Sequence, residues 1–520
     1  MAPPVARIKY PEIFLGFVAP IGVDLKGSIQ SFTQYFKAEG YRIVPIKVTE
    51  VFERLARYLT PNEPLDPSTE EKRLQTFIKY GNQLRNSFDD DQVLAALTVI
   101  RIIQERAHLG SHAETGSLPS TPPIPEKTLF LLYQFKRREE IELLRSIYGR
   151  AFLQVSVYSR RGTRVDNLSR RFAQGQNLGN PNSFRGVAEE IVQRDENELD
   201  EKHGQRVSRI FHDADIILNG DSGEDNTRKQ VNRICDLIFG SNKISPTRNE
   251  YGMFAAKAAA LRTLDLSRQV GAAIFSESGE IIAMGSNEVP KAGGGTYWAD
   301  GPDGPDELDD RDFRREHDAN DRRKSELLSE LLNLAKVPDS AALLQQSEIR
   351  ESQFMDALEY GRIIHAEMSA ICDAARLGRS VKDSVLFTTT FPCHMCAKHI
   401  VAAGIKQVVF LEPYPKSLTA HLHSDSVCIE GADRGRYTDF PSVKFEHFYG
   451  VSPRRYRELF ERNSRKDKQG KFLEWKDGIK QPIFDLKFPF YLSLEDAVLQ
   501  STSAYLEKIK MPLDDLSNLT

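Results

Sequence analysis

The chain has 520 residues, with 70 basic and 74 acidic side chains and a net charge of −4. That length exceeds what one hydrophobic core holds, so two or more domains are expected. The charge balance argues against a protein that coats duplex nucleic acid, whose binding rests on phosphate neutralisation, and five cysteines over this length exclude a disulfide framework. No stretch reaches about 18 uncharged apolar residues, and the first thirty residues lack a basic-then-apolar signal pattern. A cytoplasmic chain without membrane contact is expected.

Glu12 to Val18 is an apolar run of strand length, followed by Ala19-Pro20-Ile21-Gly22, a helical pattern from about Asp24 to Glu39, and a second apolar run, Arg42 to Val48. Strand, glycine-containing turn, helix and strand open a P-loop fold, whose turn aims backbone N–H groups at a phosphate. Gly16 and Gly22 fit that motif, but Val23 and Asp24 stand where it needs Lys and Ser/Thr, and Lys26 and Ser28 are out of register. Two interpretations stay open. Gly16, Gly22 and Asp24 could face a nucleotide in a degenerate P-loop, or Asp24 could be the N-cap of an ordinary strand–helix turn. Helical periodicity follows at Leu74–Phe88 and Asp91–Ala107, and a Ser/Thr/Gly/Pro-rich surface loop at Gly110–Pro125. Strands at Thr128–Phe135, Ala151–Tyr158 and Asp215–Leu218 then alternate with helices at Arg137–Tyr148 and Arg228–Phe239, which predicts a parallel sheet covered on both faces. The basic run Arg160, Arg161, Arg164, Arg170 and Arg171 suits either a phosphate-closing lid or a solvated helix face.

From about Thr247 the pattern changes. A helix at Tyr251–Leu264 precedes a hairpin made of Gly271–Phe275, a turn at Ser278-Gly279, and Ile281–Ser286. Between Gly293 and Glu351 lies a charged insertion, expected to be a surface loop and then an amphipathic helix over the active site or an oligomer contact. An apolar-periodic segment, Ile363–Leu377, carries His365 and Glu367. The strand Ser384–Thr390 delivers Phe391-Pro392-Cys393-His394-Met395-Cys396, and Gln407–Leu411 is a further strand.

His365-Ala366-Glu367 followed by Pro392-Cys393-x-x-Cys396 matches the H-x-E … P-C-x-x-C signature of zinc nucleobase deaminases. One His and two Cys leave a fourth zinc position open for water, and Glu367, not a ligand, is placed to move that water's proton. Helix-dipole charge and a metal both favour thiolates at a C-x-x-C that starts a helix. A redox pair or a structural zinc are the competing explanations. The remaining cysteines, Cys235, Cys372 and Cys428, form no second C-x-x-C, and a structural site has no use for Glu367.

The segments IFLGFVAPIGVDLKGS, YQFKRREEIELLRSIYGRAFLQVSVY and RVSRIFHDADIILNG, joined to this zinc motif, resemble the bacterial anti-phage dCTP deaminases. Those proteins pair a nucleoside-monophosphate-kinase-like P-loop domain with a deoxycytidylate-deaminase-type domain. The resemblance implies an α/β chain in two parts. Residues 1–245 would be a degenerate P-loop kinase-like parallel sheet, and residues 246–520 a cytidine-deaminase-like α/β/α zinc domain with an insertion at about 293–351 and a C-terminal extension. It implies one Zn2+ per chain on His365, Cys393 and Cys396, with Glu367 catalytic, and conversion of free deoxycytidine nucleotides, dCTP to dUTP, starving a phage of precursor. SRQVGAAI, the Gly285-x-Asn287 turn and EPYPKS are similar to deoxycytidylate deaminases, which implies a sugar contact for Asn287 and substrate-facing roles for Tyr414 and Lys416. A nucleotide ligand for the first domain, a homo-oligomer and an inhibitory small RNA are further partners that the family suggests. A dCMP deaminase with a regulatory domain, a nucleic-acid cytosine editor, a nucleotide kinase and a signalling module with a relic zinc site are the rival functions.

Overall fold

The computed structural model describes residues 7–111, 126–196, 204–298, 309–338, 340–350, 352–414, 417–484 and 486–516. The chain forms two compact units, one of residues 1–245 with 449–520 and one of residues 246–448. The loop expected at Gly110–Pro125 falls almost wholly outside the described residues, as does Lys416.

In the first unit, β1 (Ile13–Val18), β2 (Arg42–Lys47), β3 (Thr128–Tyr133), β4 (Phe152–Tyr158) and β5 (Ile216–Asn219) are all parallel, in the order β5-β4-β1-β3-β2. Each falls where an apolar run predicts it. The runs are continuous rather than alternating because both faces of the sheet are covered. Along β1, Ile13, Leu15 and Phe17 join one core with Phe32 and Phe36 of the helix Lys26–Ala38. Phe14 and Val18 join the opposite core with Leu97 and Ile100 of the helix Val93–Ser111.

The turn after β1 is closed by carboxylates. The backbone N–H of Ile21 donates to Asp195 Oδ2 at 2.6 Å, and that of Lys26 donates to Asp24 Oδ1 at 2.9 Å. Asp195 is fully buried and also accepts from Lys136 Nζ at 2.7 Å. Asp24 thus closes an Asx turn just before the helix, whose N-cap position is Leu25. The two glycines serve packing. A Cβ on Gly16 would lie 2.5 Å from the Phe152 ring, and one on Gly22, whose φ is +90°, would lie 2.5 Å from the Arg164 carbonyl oxygen. The basic run forms the helix Arg161–Gly175, held by ion pairs of Arg160 with Asp221, Arg164 with Glu196 and Arg171 with Glu70.

The second unit has β6 (Gly271–Phe275) and β7 (Ile281–Ser286) as an antiparallel hairpin, with β6 also antiparallel to β8 (Val385–Thr390). Parallel strands β9 (Gln407–Glu412), β11 (Val443–His447) and β10 (Val427–Ile429) continue the sheet, giving the order β10-β11-β9-β8-β6-β7. The alternation of β6 sorts its two faces. Phe275 stands edge-on to Tyr251 of the helix Arg248–Ala260. Ala272 and Ile274 pack with Ala366 and Ala370 of the helix Ala366–Arg376 and with Ala397 and Ile400 of the helix His394–Ala402. This is a three-layered arrangement with both motif helices in one layer.

One expectation needs correction. The segment after Phe448, placed with the second domain when the sequence alone is considered, packs in the first unit. There β12 (Gly450–Val451) pairs antiparallel with β5, Arg455 donates to buried Asp215 at 3.1 Å, and Leu506 of the helix Tyr491–Lys508 enters the core that holds Leu97. An edge strand two residues long carries no periodicity that a sequence can show.

Candidate metal centre and active site

His365 and Cys393 are each the residue that caps a helix, with extended backbone at φ −67° and −68°. The helices Ala366–Arg376 and His394–Ala402 therefore start at one point in space. Their N-terminal dipoles favour anionic side chains there, and this applies to the thiolates and to Glu367 in the first turn. His365 thus sits one residue before its helix rather than inside it, as its periodic segment suggests.

His365 Nδ1 lies 3.3 Å from Cys393 Sγ and 3.4 Å from Cys396 Sγ, and the three ligand atoms all fall within 4.8 Å of one another. A tetrahedral zinc with Zn–S near 2.3 Å and Zn–N near 2.1 Å separates its ligand atoms by roughly 3.5–3.8 Å. The donor set therefore fits zinc in chemistry and in spacing. The hydrogen bond from Cys396, assisted by His365, pulls the Cys393 thiol down to about 4. Cys396 is pushed up in return, because it donates to that sulfur and is buried. Zinc bound here would be held by deprotonated sulfurs, so its binding would release protons from this pair.

Glu367 is 3% exposed. Its Oε2 lies 3.3 Å from Cys396 Sγ and its Oε1 lies 3.1 Å from the hydroxyl of Thr388 on β8. Burial raises its carboxyl above the ordinary range, as does the Cys393 thiolate. The Thr388 hydroxyl is also 3.0 Å from the Thr390 carbonyl oxygen, so a single proton faces two acceptors.

His365, Glu367 and Cys393 line a cavity of about 230 Å³ that Asn287 and Tyr414 also line. Asn287 is buried and its amide is committed. Nδ2 donates to Asp265 Oδ2 at 2.5 Å and to the Arg268 carbonyl at 2.8 Å, while Oδ1 accepts from Val270 N–H at 2.7 Å. It braces the loop 265–270 and leaves one oxygen lone pair for a ligand. Phe391 stands edge-on to Phe410 and Phe445 at 4.9 and 5.6 Å and also lines the cavity. Gly16, Gly22 and Asp24 belong to the first unit, where Gly22 and Asp24 line a separate cavity.

Sequence inspection alone missed Arg268 and Arg362. Arg268 pairs with Glu412 at 3.2 Å and lies 5.5 Å from the Tyr414 ring centroid. Arg362, three residues before His365, pairs with buried Asp312 at 3.1 Å. Their places inside SRQVGA and beside the His motif were the available signals. The described part of the insertion contributes Asp312, Asp318 and Asn320 to the cavity wall, and its helix runs Ala319–Leu334.

Residues 246–412 match the family model described as the cytidine and deoxycytidylate deaminase zinc-binding region. Over 54 residues the chain is 46% identical to a deoxycytidylate deaminase of Enterobacteria phage T2, covering 10% of this chain and 29% of that protein. The mouse deoxycytidylate deaminase is 26% identical over 162 residues, 31% of this chain and 63% of that one. The chain thus spans less than a third of the first curated relatives it matches. Among solved structures, the dCMP deaminase of cyanophage S-TIM5 in complex with dCMP and dUMP covers 39% of this chain and 98% of its own. That pair has 19% identity and a TM-score of 0.21. A chain from structural studies of A-to-I editing tRNA:A34 deaminases is 17% identical, covering 38% of this chain and 94% of its own with a TM-score of 0.17. A cytidine and deoxycytidylate deaminase zinc-binding domain is present in this chain.

Proposed function

We propose that the chain deaminates free deoxycytidine nucleotides, converting dCTP to dUTP with release of ammonia, and so depletes dCTP as an antiviral defence. The observation that carries the chemistry is the His365–Cys393–Cys396 cluster with buried Glu367 beside it and a cavity opening onto both. The triphosphate and the defence role are supported by the resemblance of the paired domains. So are a homo-oligomer, a cytoplasmic location and an inhibitory small RNA. Conversion of dCMP to dUMP is the second reading, favoured by the similarity to proteins named deoxycytidylate deaminase.

A free nucleotide suits this cavity better than a nucleic-acid strand. Arg268 and Arg362 can meet a phosphate locally, but Asp265, Asp312 and Asp318 line the same walls. A polyanionic backbone needs a continuous basic track with stacking platforms.

His365, Cys393 and Cys396 would hold zinc, which when bound supplies the Lewis acidity that makes water nucleophilic near neutral pH. Glu367 takes the proton of that water and passes it to ring nitrogen 3 of cytosine as carbon 4 is attacked. It then takes the proton of the hydroxyl added at carbon 4 and delivers it to the exocyclic amine, which leaves as ammonia as the C4–N bond breaks. Burial suits Glu367 to this task, since desolvation raises its carboxyl pKa and eases uptake of a proton. Thr388 fixes the carboxylate through Oε1.

Incubation of the full chain with dCTP, dCMP, CTP and single-stranded oligonucleotides, with products weighed by mass spectrometry, tests the proposal. dUTP as the main product is expected. dUMP alone selects the second reading, and deaminated oligonucleotide without deaminated free nucleotide overturns both. Thr388→Val, which keeps shape and removes the hydroxyl, is expected to lower kcat about tenfold, the value of one hydrogen bond to a charged group, at unchanged KM and zinc content. Thr388→Ser should restore it. A rise in KM with kcat intact would assign Thr388 to substrate binding instead.

A further inference from the structure

We infer that the segment after Phe448 completes a binding site for a compact polyphosphate anion at the amino ends of β1 and β4. This edge of the sheet is the one away from the turn after β1. The inference rests on the first unit alone and is independent of the deaminase reading.

The site is a cavity of about 740 Å³. Arg7, which precedes β1, and Arg150, just before β4, stand on one side of it. Gly240 and Asn242 follow the helix Glu224–Ile238, which returns the chain from β5 to the same edge. The carboxyl-terminal segment is pinned there at both of its ends. The N–H of Asn242 donates to the Glu474 carbonyl at 2.8 Å, and its side-chain amide donates to the Leu473 carbonyl at 2.9 Å. The N–H of Ile483 donates to the Ile238 carbonyl at 2.9 Å, and Arg7 donates to the Phe484 carbonyl at 3.1 Å. A Cβ on Gly240 would lie 2.9 Å from Ile483 Cγ2, so the segment rests directly on this glycine. The walls are therefore set before a ligand arrives, which lowers the ordering cost of binding.

The charges of the wall are unbalanced. Seven of its side chains are Arg or Lys, and two are Glu. Both carboxylates are already taken, Glu458 by Arg455 and Glu461 by Arg457, the latter at 2.6 Å. Among the described residues, Lys466 and Lys476 have no ion-pair partner. Arg462 is the least satisfied group. Its Nη1 donates to the Glu461 carbonyl at 2.8 Å, while its Nε and Nη2 are buried and have no hydrogen-bond partner in the structure. Burial pulls this guanidinium below its usual range, and Arg465 pulls it further. Like charges gathered in a partly desolvated site are unfavourable until an anion joins them. Guanidinium is also the group that meets phosphate oxygens with two parallel hydrogen bonds.

The excess of cations suits several phosphates held close together rather than one. A nucleic-acid strand fits the wall less well, because it needs a row of aromatic platforms on which successive bases stack. Phe239 is 2% exposed, and the other apolar lining residues, Leu473, Ile479, Pro482 and Ile483, are aliphatic. The adjoining open surface, which shares Arg462 and Lys466, offers a single exposed ring, that of Phe472. A short phosphate chain uses the cations and asks nothing of stacking.

Equilibrium dialysis of the full chain against inorganic tripolyphosphate tests the site, with orthophosphate, ATP and a short mixed-sequence RNA as competitors. Saturable binding of tripolyphosphate is expected, with orthophosphate weaker by about tenfold or more. Arg462→Met should weaken tripolyphosphate by about tenfold or more, the value of a charged hydrogen bond. Lys466→Glu combined with Lys476→Glu should weaken it at least as much, and both of these side chains are exposed, so this variant keeps the inference testable if Arg462→Met unfolds. Competition by ATP at the same residues would identify the phosphate chain of a nucleoside polyphosphate as the source, and failure of ATP to compete would identify a free polyphosphate. Either result supports the site. No binding, equal affinity for orthophosphate, or full binding in the Lys466/Lys476 double variant would overturn it, the last because the anion would then sit at the zinc centre or beside the turn after β1. RNA that binds more tightly than tripolyphosphate at these residues would overturn it as well. Deamination is not the readout, so a chain that fails to deaminate leaves this test intact.

Discussion

Glu367→Gln is expected to fold, to hold as much zinc as the unaltered chain, and to lose turnover by about 10² to 10⁴-fold, the range that a positioned acid–base group supplies. The substitution is nearly isosteric and keeps an oxygen that can accept from Thr388, so the packing around this 3%-exposed side chain survives. What it removes is the ability to take up and release a proton. None of the three ligand atoms belongs to Glu367, so metal content is a control independent of rate. Metal analysis by plasma emission and a steady-state assay on dCTP and dCMP check the two halves of the expectation. Turnover within a few-fold of the unaltered chain would remove Glu367 from the mechanism. Loss of metal together with turnover would make it a structural support of the centre.

The centre was legible in the sequence because its parts are local. His365 and Glu367 are two residues apart and Cys393 and Cys396 three apart, each set fixed by the start of one helix. The five parallel strands of the first unit were legible for a similar reason, since a strand buried on both faces is a continuous apolar run. The features that stayed hidden come from distance. Asp195 closes the turn after β1 from 174 residues away, and nothing near Gly22 announces it. The commitment of the Asn287 amide to Asp265 depends on how the loop 265–270 folds back, which no spacing encodes. Arg311 shows the same limit. In a run that reads as solvated charge, it is 6% exposed and bound to Glu288 and Asp309. An alternating charge pattern says that partners exist, but not that they are buried.

His365→Ala is expected to cost the chain its zinc and the second unit much of its stability. The three donors sit at the meeting point of two helix N-termini, where hydrogen bonds from Cys396 and His365 pull the Cys393 thiol down to about 4. Bound zinc would tie the starts of the two helices together through His365 on one and Cys393 and Cys396 on the other, adding to the packing of Ala366 and Ala370 with Ala397 and Ile400. A ligand bound only by the native state adds about 4 kcal/mol when present at a thousand times its dissociation constant. For a unit of roughly 200 residues this is on the order of 10 °C in melting temperature. Thermal unfolding with and without a chelator should therefore show a fall of that size in the unaltered chain. His365→Ala should melt near the chelated value and ignore the chelator. Indifference to the chelator is the sharper observable, because any core substitution lowers a melting point, but only loss of the site uncouples melting from metal. A variant that still loses about 10 °C on chelation would mean that the stabilising metal binds elsewhere in the chain. The cluster at His365 would then have no part in holding it.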